Sequence, residues 1–154
     1  MDIADLLGPG RVIAAMRGST KKQVLQELAR RAATQSGLHE RAIFDKLWER
    51  ERIGSTGMGM GTAIPHARIG GLSKPFGMFA RLEKAIDFEA VDERPVDLIF
   101  LLLTPEDAGA DHLKALARIS RLFRDRAMCE KLRGTDNVDA LTALLTDRTA
   151  SHAA

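Results

Sequence analysis

The chain has 154 residues, of which 45% are hydrophobic and 29% are charged, and its net charge is only +2 at pH 7. This composition is typical of one globular domain and excludes collagen, coiled coils and intrinsic disorder, while the small charge excess argues against a nucleic-acid-binding protein. A lone cysteine, Cys129, excludes an intramolecular disulfide and a multi-cysteine zinc site, and the acidic N-terminus without a long apolar run indicates a cytoplasmic protein with no membrane insertion.

The first part of the chain predicts a strand followed by two helices. A short β-branched run predicts the strand at 11–16. Ser19 or Thr20 is in position to cap a helix that Gly37 ends. A second helix is expected from about Leu38, because apolar residues recur there at helical spacing. The residues expected on its buried face are Ile43, Phe44, Leu47 and Trp48.

A glycine-rich segment follows at 54–61, with four glycines in eight positions. Glycine at this density opposes both helix and regular strand, so the segment predicts a loop. Ile64 precedes a proline and favours extended backbone, which places His66 just beyond the end of an extended segment. A histidine in a loop on a rigid scaffold is a candidate for function, although a simple bond from its ring to a backbone carbonyl explains it equally well.

The second part of the chain predicts two strands and three helices. The strand at 76–82 is followed by an almost uniformly apolar run at 96–103, which is typical of a central strand covered on both faces and ends at Thr104 and Pro105. A long helix with a broad apolar stripe is expected at 111–123. The residues assigned to that stripe are Leu113, Leu116, Ala117, Ser120, Ile119, Leu122 and Phe123.

Two short helices complete the chain, one at about 126–132 and one at about 138–145, the second capped by Asp136 or Asn137. Helices that separate at least three strands predict an α/β or α+β fold, with a mixed sheet flanked by helices. We expect one domain over 1–147 and a frayed tail at 148–154.

Besides His66, the sequence has three further histidines, at 39, 112 and 152. His39 and His152 are expected to be solvated surface residues. His112 stands in the first turn of the long helix, where the helix dipole disfavours the imidazolium and free backbone N–H groups suit an anion. A helix-terminal histidine that only faces water is, however, the more common case.

Several familiar sites are absent from the sequence. The glycine-rich segment lacks the Lys-Ser or Lys-Thr of a P-loop and the spacing of a dinucleotide fingerprint, and neither a metalloprotease helix nor a nucleophile elbow is present. We therefore expect no nucleotide, cofactor or metal. An imidazole nucleophile, a second imidazole, an arginine at a helix end and bare loop amides suit the transfer of a phosphoryl group to a histidine nitrogen.

Four sequence blocks resemble the fructose/mannitol-type IIA domains of the bacterial phosphoenolpyruvate-dependent phosphotransferase system, most closely its nitrogen-regulatory members. These blocks are RERIGSTG at 50–57, GTAIPH at 61–66, PVDLIF at 95–100 and DHL at 111–113. The likeness covers nearly the whole chain, and the spacing between the blocks also fits. It implies the layered fold of that family.

The resemblance also implies roles for individual residues. His66 would accept the phosphoryl group through Nε2, and His112 would be the second imidazole of the active site. Arg50 matches an active-site arginine that neutralises phosphoryl charge or orients the donor protein. Ser55 and Thr56 are expected to be supporting donors.

Two methionines flank the expected site. Met60 stands where many relatives have asparagine, and we assign it no role. Met58 and Met60 either form a hydrophobic rim for a docking carrier protein or pack into the core.

The function implied is that of a phosphocarrier, a transferase in the protein-to-protein sense. It would accept a phosphoryl group on His66 from a phosphorylated HPr-like protein, itself charged by enzyme I from phosphoenolpyruvate. Its phosphorylation state would then regulate target proteins, for which potassium transport or sensor proteins are candidates. One alternative is a sugar-transport IIA component that passes the group to a fructose/mannitol-type IIB domain, and another is a binding module whose phosphorylation is vestigial.

Overall fold

The computed structural model describes residues 1–147, so the tail at 148–154, with His152, lies outside the described part. The elements in chain order are α1 (Ile3–Leu6), β1 (Val12–Met16), α2 (Lys21–Ser36), α3 (Glu40–Ile53), β2 (Gly57–Gly59), β3 (Thr62–Ala63), β4 (His66–Ile69), β5 (Phe76–Ile86), β6 (Val96–Pro105), α4 (Ala110–Arg124), α5 (Arg126–Arg133) and α6 (Val138–Thr146). Within 1–147 no helix is both long and apolar enough to cross a bilayer.

The strands form one six-stranded mixed sheet in the order β1-β5-β6-β3-β2, and β4 also pairs with β6. Strand β6 is antiparallel to β5 and parallel to both β3 and β4. The two short strands β3 and β4 therefore lie one after the other along the same side of β6. The predicted mixed sheet flanked by helices is confirmed.

Helices cover both faces of the sheet, and β6 supplies residues to both cores. Because successive side chains of a strand point to opposite faces, a strand covered on both sides must be apolar throughout. Ile99, Leu101 and Leu103 pack with residues of α2 and α3. The alternate residues Leu98, Phe100 and Leu102 pack with α1, α4, α5 and α6. The prediction that this run is a central strand is confirmed.

Capping residues determine where the first long helices begin and end. Thr20 accepts a hydrogen bond from the amide of Gln23, at 3.1 Å, and Gly37 ends α2 with a φ of 78°. His39 is exposed, as predicted, and its Nδ1 accepts from the amide of Arg41 at the start of α3. Asn137 caps α6.

The glycine-rich segment is more regular than predicted. Gly57–Gly59 forms strand β2, which pairs with β3, and the turn between these strands has positive φ at Gly59, Met60 and Gly61 (92°, 56° and 78°). Gly57 approaches Ala90 so closely that a Cβ would lie 2.8 Å from that of Ala90. Glycine is therefore needed for a tight hairpin and a close contact, and the prediction that no regular strand forms in 54–61 is wrong at Gly57–Gly59.

Other predicted boundaries also change because sheet pairing extends the strands. His66 is the first residue of β4 and does not lie beyond an extended segment, since it pairs with Leu102 of β6. Strand β5 continues to Ile86, and β6 continues through Thr104 to Pro105. The short helix α1 was not predicted.

The buried faces of two helices differ from the predicted ones. In α4 the buried residues are His112, Ala115, Ile119 and Phe123, whereas Leu113 is 65% exposed. The predicted stripe was wrong at Leu113 and at Ala117, which is also exposed, because the helix turns the face that carries His112 and Ala115 toward the sheet. In α3, Ile43 and Leu47 are buried as expected, but Phe44 and Trp48 are only partly buried and stack on each other with 5.9 Å between ring centroids.

Candidate active site

His66 is held by the sheet and by its own neighbouring carbonyl. Its backbone pairs with β6, and the carbonyl of the preceding Pro65 accepts a hydrogen bond from the amide of Leu102 at 2.9 Å. Its Nδ1 lies 2.7 Å from the carbonyl oxygen of Ile64. Because a carbonyl oxygen can only accept, Nδ1 carries the proton in this contact, and Nε2 keeps its lone pair.

The surroundings of His66 keep the ring neutral. Burial lowers its pKa from the ordinary value, and the positive charge of Arg50 lowers it further. The hydrogen bond to the Ile64 carbonyl and the charge of Glu51 oppose this shift, but the pKa remains below its usual range. A neutral imidazole with a free Nε2 is the nucleophilic form of histidine.

His112 lies beside His66 and is buried, so the interpretation of a histidine facing water is wrong. The two ring centroids are 5.6 Å apart, and the ring planes are tilted by 58°. His112 is 7% exposed, and its Nδ1 lies 2.5 Å from the hydroxyl oxygen of the fully buried Thr104. Burial first, then the charges of His66 and Arg68, lower its pKa to about 4.

Arg50 reaches the site from the last turn of α3. Its Nη1 donates to the carbonyl of Gly54 at 2.8 Å, which ties the guanidinium to the start of the glycine-rich segment. A guanidinium has five N–H donors, so most of its donors remain for an oxyanion. The side chain is half-buried and borders both of the clefts that flank His66.

The two clefts beside His66 differ in character. One is lined mainly by charged side chains, and the other mainly by small and apolar ones. The first is bordered by Lys46, Glu49, Arg50, Ile53, Ala67, Arg68 and His112. The second is bordered by Arg50, Ser55, Thr56, Gly57, Met58, Ile64, Leu116, Ala117 and Ser120.

Exposed apolar side chains surround the histidines. Ile53 is 81% exposed at the charged cleft, Met58 is 46% exposed at the apolar cleft, and Leu113 follows His112 on α4. Met58 therefore matches the hydrophobic rim that was one of the two interpretations, whereas Met60 is half-buried in the hairpin turn.

The hydroxyls of Ser55 and Thr56 are already engaged within the protein. Ser55 donates to the carbonyl of Phe88 at 2.7 Å and accepts from the amide of Gly57 at 3.0 Å. Thr56 donates to the carboxylate of Glu51 at 2.6 Å. The amides of Thr56 and Met60 also have carboxylate acceptors. The expectation of bare amides is thus wrong at 56, 57 and 60, because side chains of Glu51, Ser55 and Asp92 fold onto them.

Comparison with known proteins relates this site to one family. The sequence matches the model of the phosphoenolpyruvate-dependent sugar phosphotransferase system, EIIA 2, over residues 5–148. The chain belongs to this family. This IIA chain is 52% identical over 145 residues to the nitrogen regulatory protein of Bradyrhizobium diazoefficiens, covering 94% of this chain and 95% of that protein.

Two further relatives support the assignment to this family. The crystal structure of nitrogen regulatory protein IIA-Ntr from Neisseria meningitidis matches this IIA chain with a TM-score of 0.88 at 34% identity, covering 94% of this chain and 99% of that one. A "PTS system fructose-specific EIIA component" of Haloferax volcanii is 37% identical over 136 residues, covering 86% of this chain and 88% of that protein. The resemblance inferred from the sequence blocks is confirmed.

The IIA fold brings three of the predicted site residues together from separate blocks of the sequence. His66, His112 and Arg50 face the same charged cleft. Ser55 and Thr56 border the neighbouring cleft with their hydroxyls engaged.

Sequence reasoning did not assign roles to three further residues at the IIA site: Glu51, Arg68 and Thr104. Thr104 is a polar residue at the end of an almost uniformly apolar strand, and Glu51 lies within a block that the resemblance had singled out. Both residues could therefore have been recognised from the sequence as candidates for the site. No sequence feature pointed to Arg68, which lies in β4.

Proposed function

We propose that this IIA protein is a phosphocarrier of a nitrogen-related phosphotransferase system, which accepts a phosphoryl group on Nε2 of His66 from a phosphorylated HPr-like protein. The observation that carries the proposal is the 2.7 Å contact between Nδ1 of His66 and the Ile64 carbonyl. That contact leaves Nε2 with a lone pair, in a ring that burial keeps neutral. The regulatory character of the relatives supports an output through partner proteins.

The proposed step balances without any additional reactant. Nε2 of His66 attacks phosphorus, the bond between phosphorus and the donor's side chain breaks, and the electron pair of that bond leaves with the donor. The proton on Nδ1 stays in its bond to the Ile64 carbonyl, so the ring becomes positively charged as the phosphoryl group arrives. The carbonyl oxygen stabilises that positive charge.

Arg50 and His112 act on the phosphoryl oxygens in this proposal. Arg50 supplies N–H donors that are not used by the Gly54 carbonyl. We assign the hydroxyl of Thr104 as the donor to Nδ1 of His112, which places the proton of this neutral ring on Nε2, where it is offered to the phosphoryl group. Positioning and charge stabilisation are the main requirements of phosphoryl transfer, and these donors provide both.

Phosphorylation would change the surface that partner proteins contact. A phosphoryl group adds about −1.5 to −2 charges at neutral pH. At His66 this charge would appear among the exposed apolar side chains Ile53, Met58 and Leu113. A target that packs on this rim would therefore distinguish the two states of the protein.

The test is phosphoryl transfer from phosphoenolpyruvate through enzyme I and an HPr-like protein. Wild type should acquire an acid-labile, hydroxide-stable label, and His66→Ala should acquire none. His39→Asn is the matched control, since it replaces an exposed histidine with another helix-capping residue and should be labelled normally. A label that persists in His66→Ala would disprove the assignment.

A sugar-transport role is the second candidate, because one relative is named as fructose-specific. In that case the phosphorylated protein should pass its label rapidly to a fructose/mannitol-type IIB domain. Retention of the label in the presence of such a domain, with loss of the label when donor proteins are added back, would favour the regulatory role.

A further inference from the structure

We propose that Glu51 is a positioning residue for the phosphoacceptor, which acts through Thr56 and Ile64 to select the nitrogen of His66 that attacks. This inference rests on the proposed function. It concerns a buried carboxylate that neither the family comparison nor the proposed transfer step accounts for.

Glu51 lies in the last turn of α3 and is 5% exposed, although its neighbours Arg52 and Ile53 are exposed. Its Oε1 accepts from the amide of Thr56 at 2.8 Å, and its Oε2 accepts from the Thr56 hydroxyl at 2.6 Å. The ammonium of Lys21, at the start of α2, lies 3.1 Å from Oε1. Both carboxylate oxygens are therefore engaged, and two of their three donors belong to Thr56.

Thr56 transmits this placement to the residue next to His66. Its carbonyl accepts a hydrogen bond from the amide of Ile64 at 3.0 Å. The carbonyl of Ile64 in turn accepts from Nδ1 of His66 at 2.7 Å. Three consecutive contacts thus join the carboxylate to the imidazole, and each is a hydrogen bond of good length.

These contacts determine which tautomer the imidazole of His66 adopts. In free imidazole either nitrogen can carry the proton, and only the nitrogen without it can attack phosphorus. The Ile64 carbonyl keeps the proton on Nδ1 only while it points at the ring. Glu51 holds Thr56 in place, Thr56 holds Ile64, and the attacking atom is therefore Nε2, which is the nitrogen away from that carbonyl.

The burial of this charge is otherwise hard to explain. A carboxylate removed from water loses solvation, and an apolar side chain of similar volume often serves stability as well or better. Lys21 compensates part of the charge, but it is also placed to interact with Glu89 at 3.5 Å. What an apolar residue could not do is hold the amide and the hydroxyl of Thr56 at once.

The test compares Glu51→Gln and Thr56→Val with wild type, by nitrogen NMR of the histidine rings and by the rate of transfer from a phosphorylated HPr-like protein. Glu40→Gln, an exposed change in the first turn of the same helix and away from both clefts, is the matched control. Both test variants should raise the population of His66 with its proton on Nε2 and slow transfer by about tenfold to a hundredfold. Thr56→Ser, which keeps the hydroxyl, should restore both properties.

Two outcomes would overturn the inference. One is that folded Glu51→Gln and Thr56→Val have the same tautomer populations of His66 as wild type, whatever their transfer rates. A carboxylate with a merely structural role would slow transfer without moving the proton from Nδ1 of His66. The other is a Thr56→Ser protein as altered as Thr56→Val. If Glu51→Gln fails to fold, the comparison of Thr56→Val with Thr56→Ser tests the inference. A wild type that takes no label would contradict the proposed function alone, because the tautomer measurement needs no phosphoryl donor.

Discussion

The ring of His112 lies 5.6 Å from that of His66, and its Nδ1 is satisfied by the hydroxyl of Thr104 on the neighbouring strand. The two imidazoles therefore reach the same cleft from different elements, one from β4 and one from α4. Because burial lowers the pKa of both rings, and the charge of His66 lowers that of His112 further, both remain neutral at physiological pH.

The free energy of unfolding should fall as the pH is lowered from about 6.5 to about 4. The pKa of His112 is about 4 in the folded chain, against an ordinary value of 6.5, so the unfolded chain binds more protons across this window. Neutral His112 contributes its full stabilisation at pH values above its pKa in the unfolded chain. About 2 to 3 kcal/mol of the free energy of unfolding should be lost once the pH has fallen to its pKa in the folded chain. Urea unfolding at pH 7, 5.5 and 4 measures this loss in the free energy of unfolding.

The control for this pH dependence is His112→Gln, which has no titrating ring. Its free energy of unfolding should fall less steeply across the same window than that of wild type. Equal slopes in the two proteins would show that His112 is not the group responsible.

Loss of the guanidinium in Arg50→Ala should slow phosphoryl transfer while the fold is retained. The side chain is half-buried at the cleft, and its hydrogen bond to Gly54 is local. Removal of one charge-stabilising donor group costs on the order of 10²- to 10³-fold in rate. Transfer rates from the HPr-like donor and circular dichroism provide the two measurements. Arg52→Ala, an exposed arginine in the same turn, should transfer at the wild-type rate.

The buried hydroxyl of Thr104 should matter for both stability and the tautomer of His112. Thr104→Val keeps the shape of the side chain but leaves Nδ1 of His112 without this partner. An unsatisfied buried acceptor costs about 1 to 3 kcal/mol, so the free energy of unfolding should fall by that amount. Nitrogen NMR should show His112 exchanging between tautomers, and Thr104→Ser should behave as wild type. A single unchanged tautomer in Thr104→Val would contradict the orientation proposed for that ring.

A change of Met60 to asparagine should stabilise the protein. Met60 has a φ of 56°, in the left-handed region that side chains other than glycine, asparagine and aspartate rarely adopt. Its interactions with Asp92 and Arg133 use backbone atoms, so they survive the substitution. We expect a gain of about 0.5 to 1 kcal/mol in the free energy of unfolding, with no change in transfer rate.

Met58→Asn is the comparison for that gain. Met58 lies two residues away in the same hairpin and is 46% exposed, but it is not among the residues with positive φ. An equal gain in both variants would indicate a general effect of removing exposed methionine and would contradict the backbone explanation.

The sequence by itself determined the layers of this protein and singled out the histidine that we propose as its nucleophile. Apart from Asp97, the run at 96–103 is apolar on both faces of a strand. A strand of this kind must be covered on both sides, so the run identified the central strand. Thr20 and Gly37 determined the limits of α2, because capping depends on local backbone geometry. The GTAIPH block singled out His66 through its resemblance to a known family.

Only the tertiary structure decided which polar side chains are buried and what they bind. Periodicity locates the apolar face of a helix, but it does not reveal that His112 turns to Thr104 or that Glu51 turns inward to Thr56. The short strand β2 likewise exists because β3 pairs with it, although glycine has low strand propensity. These contacts depend on segments that meet only after folding, and pairing energy between such segments outweighs the local preferences that a sequence displays.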